Sequence, residues 1–279
     1  MKLEDLKSHI YELDSISNEE WINSLSDRKL KELQFHDKDR DLSRVEACKS
    51  SDTYDKFYGN KKYYKTTKRS FNYKDQWIAS NCKDKIFLDF ACGNGNNALL
   101  AARSGAKLSI GFDISRVSVE NARKNGEDLD NIIFFQADAE NTKLPNDSVD
   151  TIICSGMLHH LDLSYALPEL RRILKPKGKI LAIEALDYNP IIKLYRKFTP
   201  DMRTEWEKAH ILDFNDLKFA SRFFAIGETR FWHLLGYLSA KVRFIGPILE
   251  TLDILLEKIP LIRRLSWIFT FELIKEDYK

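Results

Sequence analysis

Gly93 and Gly95 stand in the stretch LDFACGNGNNA, Leu88 to Ala98, as a G-x-G-x-x-A turn. That spacing lets a ligand approach main-chain N–H groups at the start of a helix. Asp113 follows Gly93 by 20 residues, at the end of GFD, where a carboxylate can accept both hydroxyls of a ribose. A third acid, Asp138, closes FFQAD and is followed by Ala139; carboxylate and adjacent main chain can read the amino group and ring edge of an adenine. His159 and His160 are neighbours in GMLHHL and bring imidazoles, the side chains that titrate near neutral pH and serve most often in proton transfer.

Two adenosine-bearing ligands fit such a turn. A dinucleotide presents a pyrophosphate to it, whereas S-adenosylmethionine presents an amino acid and a sulfonium. Asp89, just before the glycines, favours the second, because a carboxylate repels phosphates and attracts an ammonium or sulfonium. A dinucleotide site also has no standing need for Asp138. A nicotinamide-dependent oxidoreductase is the rival reading, and a non-catalytic subunit that binds S-adenosylmethionine is a third.

Short apolar runs alternating with amphipathic helices must position these residues, which predicts a parallel sheet with crossover helices from residue 84 onward. KIFLDF, KLSIGFD, NIIFFQAD, SVDTIICSG and KILAIEA read as five strands. NNALLAARSG, RVSVENARKN and YALPELRRIL read as helices, the first closed by Gly105, the second capped by Ser115. KPKG, with Pro176 and Gly178, reads as a turn. FFAIGETRFW and SWIFTFELIK read as two late, antiparallel strands. Residues 1–80 are polar with helical spacing around Ile10, Leu13, Trp21 and Leu25, and read as a helical cap. Within them KKYYKTTKRSFNYKDQW has three readings: a helix with a solvated basic face, a pocket wall, or a nucleic-acid surface.

LDFACGNGNNA, GFDIS, FFQADAENTKLPNDSVDTIICSGMLHHL and PELRRILKPKGKILAIEA, over about residues 84 to 186, together resemble the successive motifs of class I S-adenosylmethionine-dependent methyltransferases. The pattern is nearest to the ubiquinone/menaquinone-biosynthesis type, methyltransferase domain 11. The resemblance implies an α/β, Rossmann-like, doubly wound seven-stranded sheet with its last strand antiparallel, in a domain over 81–279 with a helical insertion at about 233–264. It places Asp89, Gly93 and Gly95 at the methionine end of the cofactor, Asp113 at the ribose, Asp138 and Ala139 at the adenine, and Ser155 and Met157 at the pocket rim. Ala91, Asn94 and Ile114 complete the implied cofactor set. EALDYNPIIKLYRKFTPDMRTEWEKAH, residues 184 to 210, more loosely resembles a segment found in methyltransferases of polysaccharide and lipid biosynthesis.

Methyl transfer from a sulfonium is an in-line displacement, so alignment and exclusion of water are the main tasks. A base is needed only where the acceptor loses a proton, and His159 and His160 are the first candidates, with structural or cofactor-contacting roles as the alternative. His210 and Glu184 are weaker candidates; Tyr188, Tyr195 and Arg203 are candidate acceptor contacts. Asn189-Pro190 lies after the wrong strand for the signature of amino-group nucleic-acid methyltransferases. Cys154 to Leu161 holds no carboxylate cluster for a divalent metal. The expectation is no metal and a small or lipid-linked acceptor, with oxygen favoured over carbon and nitrogen by base rate.

The chain has 279 residues, and 44 basic against 42 acidic side chains give a formal charge of +2, which calls for no polyanionic partner such as nucleic acid. Cys48, Cys82, Cys92 and Cys154 form no C-x-x-C pair and read as reduced thiols. The charged N-terminal turn lacks the apolar run of a secretory signal, so a cytoplasmic protein is expected. Leu234 to Ile262 is apolar but interrupted by Lys241, Arg243, Glu250, Asp253, Glu257 and Lys258. It reads as a packed insertion or dimer contact, a lid over an apolar acceptor, or a helix lying on a membrane with help from Arg263 and Arg264. The oligomeric state is left open.

Overall fold

In the computed structural model, which describes residues 2–41, 43, 45, 46 and 58–277, the apolar runs become seven strands. They are β1 Ile86–Phe90, β2 Leu108–Asp113, β3 Ile132–Gln136, β4 Val149–Ser155, β5 Leu174–Ala185, β6 Ala225–Trp232 and β7 Ile268–Ile274, in the order β3-β2-β1-β4-β5-β7-β6. β1 through β5 pair in parallel. β7 runs against both β5 and β6, so of the two closing strands only the last opposes the rest. Helices cover both faces, and the central strands are therefore continuous apolar runs rather than alternating ones; Phe87, Leu88, Phe90, Ile110, Phe112, Phe135 and Ile152 are all fully buried. Strand order reverses between β1 and β4, which opens a crevice beyond their carboxyl ends where α/β sheets bind ligands.

The N-terminal helices Leu3–Leu13, Asn18–Ser24 and Asp27–Arg40 close over that end of the sheet. Leu6 and Ile10 enter the main core, and the Trp21 indole donates to the Ile114 carbonyl at 3.2 Å. Asp14 accepts from Arg116, from Arg123 and from the Gln136 main-chain N–H. Three of the four cysteines, Cys82, Cys92 and Cys154, are buried free thiols; Cys48 lies outside the described residues.

Two sequence expectations need correction. KPKG is not a turn: β5 begins at Leu174 and runs through Pro176 and Gly178. Val149 pairs with Leu174 on one side, while Lys177 and Gly178 exchange main-chain hydrogen bonds with Lys275 on the other. A register slip beside Val149 and a positive φ of 63° at Lys177 absorb the irregular sequence as a bulge. Of the three readings of KKYYKTTKRSFNYKDQW, the simple solvated basic face does not hold, whereas the pocket wall does for Tyr63 and Tyr64, which line a cavity. The stretch forms helices Lys61–Tyr64 and Lys68–Asn81, with Trp77 in the core and Lys74 buried against Asn97 at 2.5 Å. In the late segment, helix Gly246–Leu256 buries Asp253, whose carboxylate accepts from Leu235 and Gly236 N–H at 2.7 and 2.9 Å, and leaves Ile248, Leu252 and Leu255 exposed. No helix among the described residues is long and apolar enough to cross a membrane.

Candidate active site

Ala91, directly after β1, has φ 57°, and Gly93 and Gly95 follow with φ 53° and 82°, left-handed values that glycine adopts without steric penalty. Asp113 at the end of β2 fixes this turn: one carboxylate oxygen accepts from Gly93 N–H at 2.8 Å and the other from Ser115 N–H at 3.0 Å. Burial raises its pKa above the ordinary aspartate range. Asp89 lies behind the turn, accepting from Asn97 Nδ2 at 3.2 Å and Ala98 N–H at 3.1 Å. An acid at a helix N-terminus is well placed electrostatically, yet desolvation pushes this one up to about 6.

Beyond these strand ends lies a cavity of about 90 Å³ lined by Ala91, Asp113, Ile114, Asp138, Ala139, Ser155, Met157 and His160 from the sheet side. Arg28, Lys29, Glu32, His36 and Arg40 of helix Asp27–Arg40 form its opposite wall. Lys29 Nζ lies 2.6 Å from Asp138 and 2.9 Å from Glu140, and Arg28 bonds to Glu140 and to the His160 carbonyl. The Arg40 guanidinium lies 3.1 Å from where a Cβ on Gly93 would sit; its Nε is buried without a hydrogen-bond partner, with the Asp39 carboxylate 3.8 Å away. A guanidinium with spare donors suits a carboxylate, so the residues present fit S-adenosylmethionine: Arg40 for the methionyl carboxylate, Asp113 for the ribose, Asp138 for the adenine amino group.

A second cavity, of about 290 Å³, opens beside the first. Its wall is aromatic, from Tyr63, Tyr64, Tyr195, Tyr237 and Trp267, with Ile191, Leu194 and Phe198 toward the surface and Arg196, Arg203 and Lys241 as cations. His159 and Glu207 line it as well. His159 Nδ1 meets the fully buried Glu184 at 2.7 Å, and the other Glu184 oxygen accepts from Met157 and Leu158 N–H, both at 2.8 Å. With Nδ1 donating to Glu184, the second ring nitrogen, Nε2, faces the cavity 3.9 Å from Glu207. Burial raises the Glu207 pKa.

His159 and His160 thus part company, His159 lining the larger cavity and His160 the smaller. His160 Nδ1 sits 2.9 Å from Glu32, and His36 Nε2 lies 3.7 Å from the same carboxylate oxygen. Burial, reinforced by the charges of His160 and Arg40, holds the His36 pKa well below its usual value. Of the other sequence candidates, Tyr195 and Arg203 reach the larger cavity. Tyr188 does not; it stacks on Phe214 with ring centroids 4.9 Å apart. His210 stacks on Trp206 and bonds to its carbonyl. Asn189 accepts from Ile191 and Ile192 N–H, and Pro190 opens the helix, which makes Asn-Pro a helix cap. Gly95 starts helix Asn96–Arg103, and Asn94 bonds to Asn121 and Asn125 at the outer side of the turn. Glu32, His36 and Arg40 escaped sequence reasoning, because nothing local in the polar stretch ELQFHDKDR marks a helix that docks over a distant strand end.

Residues 88–182 match the methyltransferase domain family. The ribosomal protein L11 methyltransferase of Pasteurella multocida is 32% identical over 107 residues, 37% of this chain and 35% of that one. The ubiquinone/menaquinone biosynthesis C-methyltransferase of Rickettsia bellii is 34% identical over 123 residues, 40% of this chain and 49% of that one. The chain thus spans less than half the length of either relative. The crystal structure of magnesium protoporphyrin IX methyltransferase from Synechocystis with bound SAH shares the fold, at a TM-score of 0.54 and 16% identity, covering 78% of this chain and 88% of that one. Residues 88–182 thus match a methyltransferase domain that takes S-adenosylmethionine as its cofactor, and the fold around them is the one seen in solved methyltransferases.

Proposed function

We propose that this chain methylates a hydroxyl group of a small or lipid-linked amphiphile that carries a negative charge. The observation that carries this reading is the His159–Glu184 dyad, a buried carboxylate holding an imidazole at 2.7 Å with its second nitrogen facing an aromatic cavity of about 290 Å³. When bound, the cofactor supplies an electrophilic sulfonium methyl group and leaves as a neutral thioether. His159 Nε2 takes the proton as the hydroxyl becomes a nucleophile, and Glu184 stabilises the imidazolium that results, the division of labour of a carboxylate-oriented histidine base. Tyr63, Tyr195 and Trp267 bind an apolar body, while Arg203 and Lys241 attract an anionic group.

The mouth of this cavity supports a lipid-linked acceptor met at a membrane surface. Ile191, Leu194 and Phe198 project from helix Pro190–Phe198, Phe198 at 74% exposure, with Lys197 on the same helix and Lys241 across the opening. The test is transfer of labelled methyl groups from S-adenosylmethionine to matched acceptor pairs, hydroxylated amphiphiles with a free carboxylate or phosphate and their uncharged esters. The proposal expects label on the oxygen of the anionic member. Label on amines or thiols alone, at a rate unchanged in His159→Ala, contradicts it.

A further inference from the structure

We propose that Glu32, His36 and His160 form a divalent-metal site of the zinc type in the wall of the smaller cavity. Two imidazoles and one carboxylate are borderline donors for zinc and its neighbours, and three protein ligands is the number that leaves a coordination position open. One donor atom from each of the three residues lies within 4.8 Å of the others. Tetrahedral zinc with bonds of about 2.0–2.1 Å sets its ligand atoms about 3.3 Å apart. The distances from Glu32 Oε2, 2.9 Å to His160 Nδ1 and 3.7 Å to His36 Nε2, straddle that value.

The local structure explains why the donors converge. Glu32 and His36 are four residues apart on helix Asp27–Arg40, so they share one face. His160 comes from the turn after β4, and Arg28 on the same helix donates to its carbonyl at 3.1 Å, tying turn to helix. Phe35 packs edge-on against the His36 ring and His36 against His160, with centroids 5.6 and 4.8 Å apart, which holds the ring planes as supporting contacts do in metal sites. Glu32 is only 4% exposed, and its ion-pair partners among the described residues are these two imidazoles. A buried carboxylate is costly unless paired, and a dication supplies the missing charge. The neighbouring trio His159, His160 and Glu207 also converges, but its carboxylate already has a cationic partner, Glu207 lying 3.5 Å from Arg203. The first trio is therefore the site.

Metal binding is read without turnover, so this inference stands or falls separately from methyl transfer. The full chain, stripped with chelator, is titrated with Zn²⁺ by calorimetry and with Co²⁺ by visible absorption. One equivalent of Zn²⁺ should bind with micromolar or tighter Kd. Glu32→Gln, His36→Gln and His160→Gln should each weaken binding about tenfold or more, a loss that even supporting residues of metal sites cause, while His9→Gln on the protein surface should not. Bound Co²⁺ in the unsubstituted chain should show the intense bands of a low-coordinate site, a readout that does not depend on any variant folding. Absence of saturable Zn²⁺ binding, a Co²⁺ spectrum equal to that of the aqueous ion, or equal affinity in Glu32→Gln and His36→Gln chains with native circular dichroism overturns the assignment.

Discussion

The two cavities are built from different materials. The smaller, about 90 Å³, is made of strand ends, main-chain N–H groups and carboxylates, and it is closed by ion pairs from helix Asp27–Arg40. The larger, about 290 Å³, is walled by aromatic side chains from segments outside the central five strands. The first recognises by geometry that the sheet itself dictates, because the reversal of strand order fixes where Asp89, Asp113 and Asp138 emerge. The second is lined by side chains that the appended helices bring, so under the proposed function acceptor choice resides in the parts of the chain that the family pattern does not cover. His159 and His160, adjacent in sequence, line one cavity each.

Substitutions should separate the two sides. The largest effect is expected from His159→Ala, which should lower turnover by a factor on the order of 10²–10⁴ while leaving cofactor affinity as it was. Steady-state kinetics beside calorimetry reads both, and a joint loss would break the division. Next is Asp89→Asn. Burial raises the native Asp89 pKa to about 6 from 3.8, so the folded state holds this proton more tightly than the unfolded one. Its contribution to stability is complete below about pH 4 and lost as pH rises through about 6, a change of about 3 kcal/mol. Asp89→Asn should flatten that slope in urea unfolding measured at several pH values, with no change in acceptor KM. Asp113→Ala should weaken cofactor binding by about 1.5 to 3 kcal/mol through loss of charged acceptor bonds, with turnover at saturating cofactor largely retained. The smallest effect belongs to Lys29→Met: its ammonium occupies the Asp138 carboxylate at 2.6 Å, the partner assigned to the adenine. Removing this competitor should tighten cofactor binding by roughly threefold, the scale of a partly exposed ion pair.

The sheet side was legible in the sequence because its signals are contiguous. Strand, glycine turn and helix start lie within Leu88–Ala98, and Asp113 and Asp138 each close an apolar run. The opposite wall of the smaller cavity was not legible, because Glu32 meets His160 across 128 positions and the helix that carries it is polar, with only Glu32 and Leu33 buried. Its docking is written in ion pairs to Asp138 and Glu140 rather than in a hydrophobic stripe, and such pairs have no periodicity to read. Lys74 misled for a related reason: a basic helix suggests solvent, yet this lysine is buried against Asn97. KPKG misled because proline and glycine signal a turn locally, whereas pairing of Leu174 and Lys179 around it and main-chain bonds from Lys177 and Gly178 to Lys275 kept it in the sheet.

Calorimetric titration of the full chain with S-adenosylmethionine, S-adenosylhomocysteine and NAD in parallel tests the central claim most directly. The account predicts that both sulfur ligands bind, that Asp138→Ala weakens them, and that NAD gives no heat. Binding of NAD alone would contradict it, and would mean that the carboxylates at the ends of β1 and β3 serve a dinucleotide.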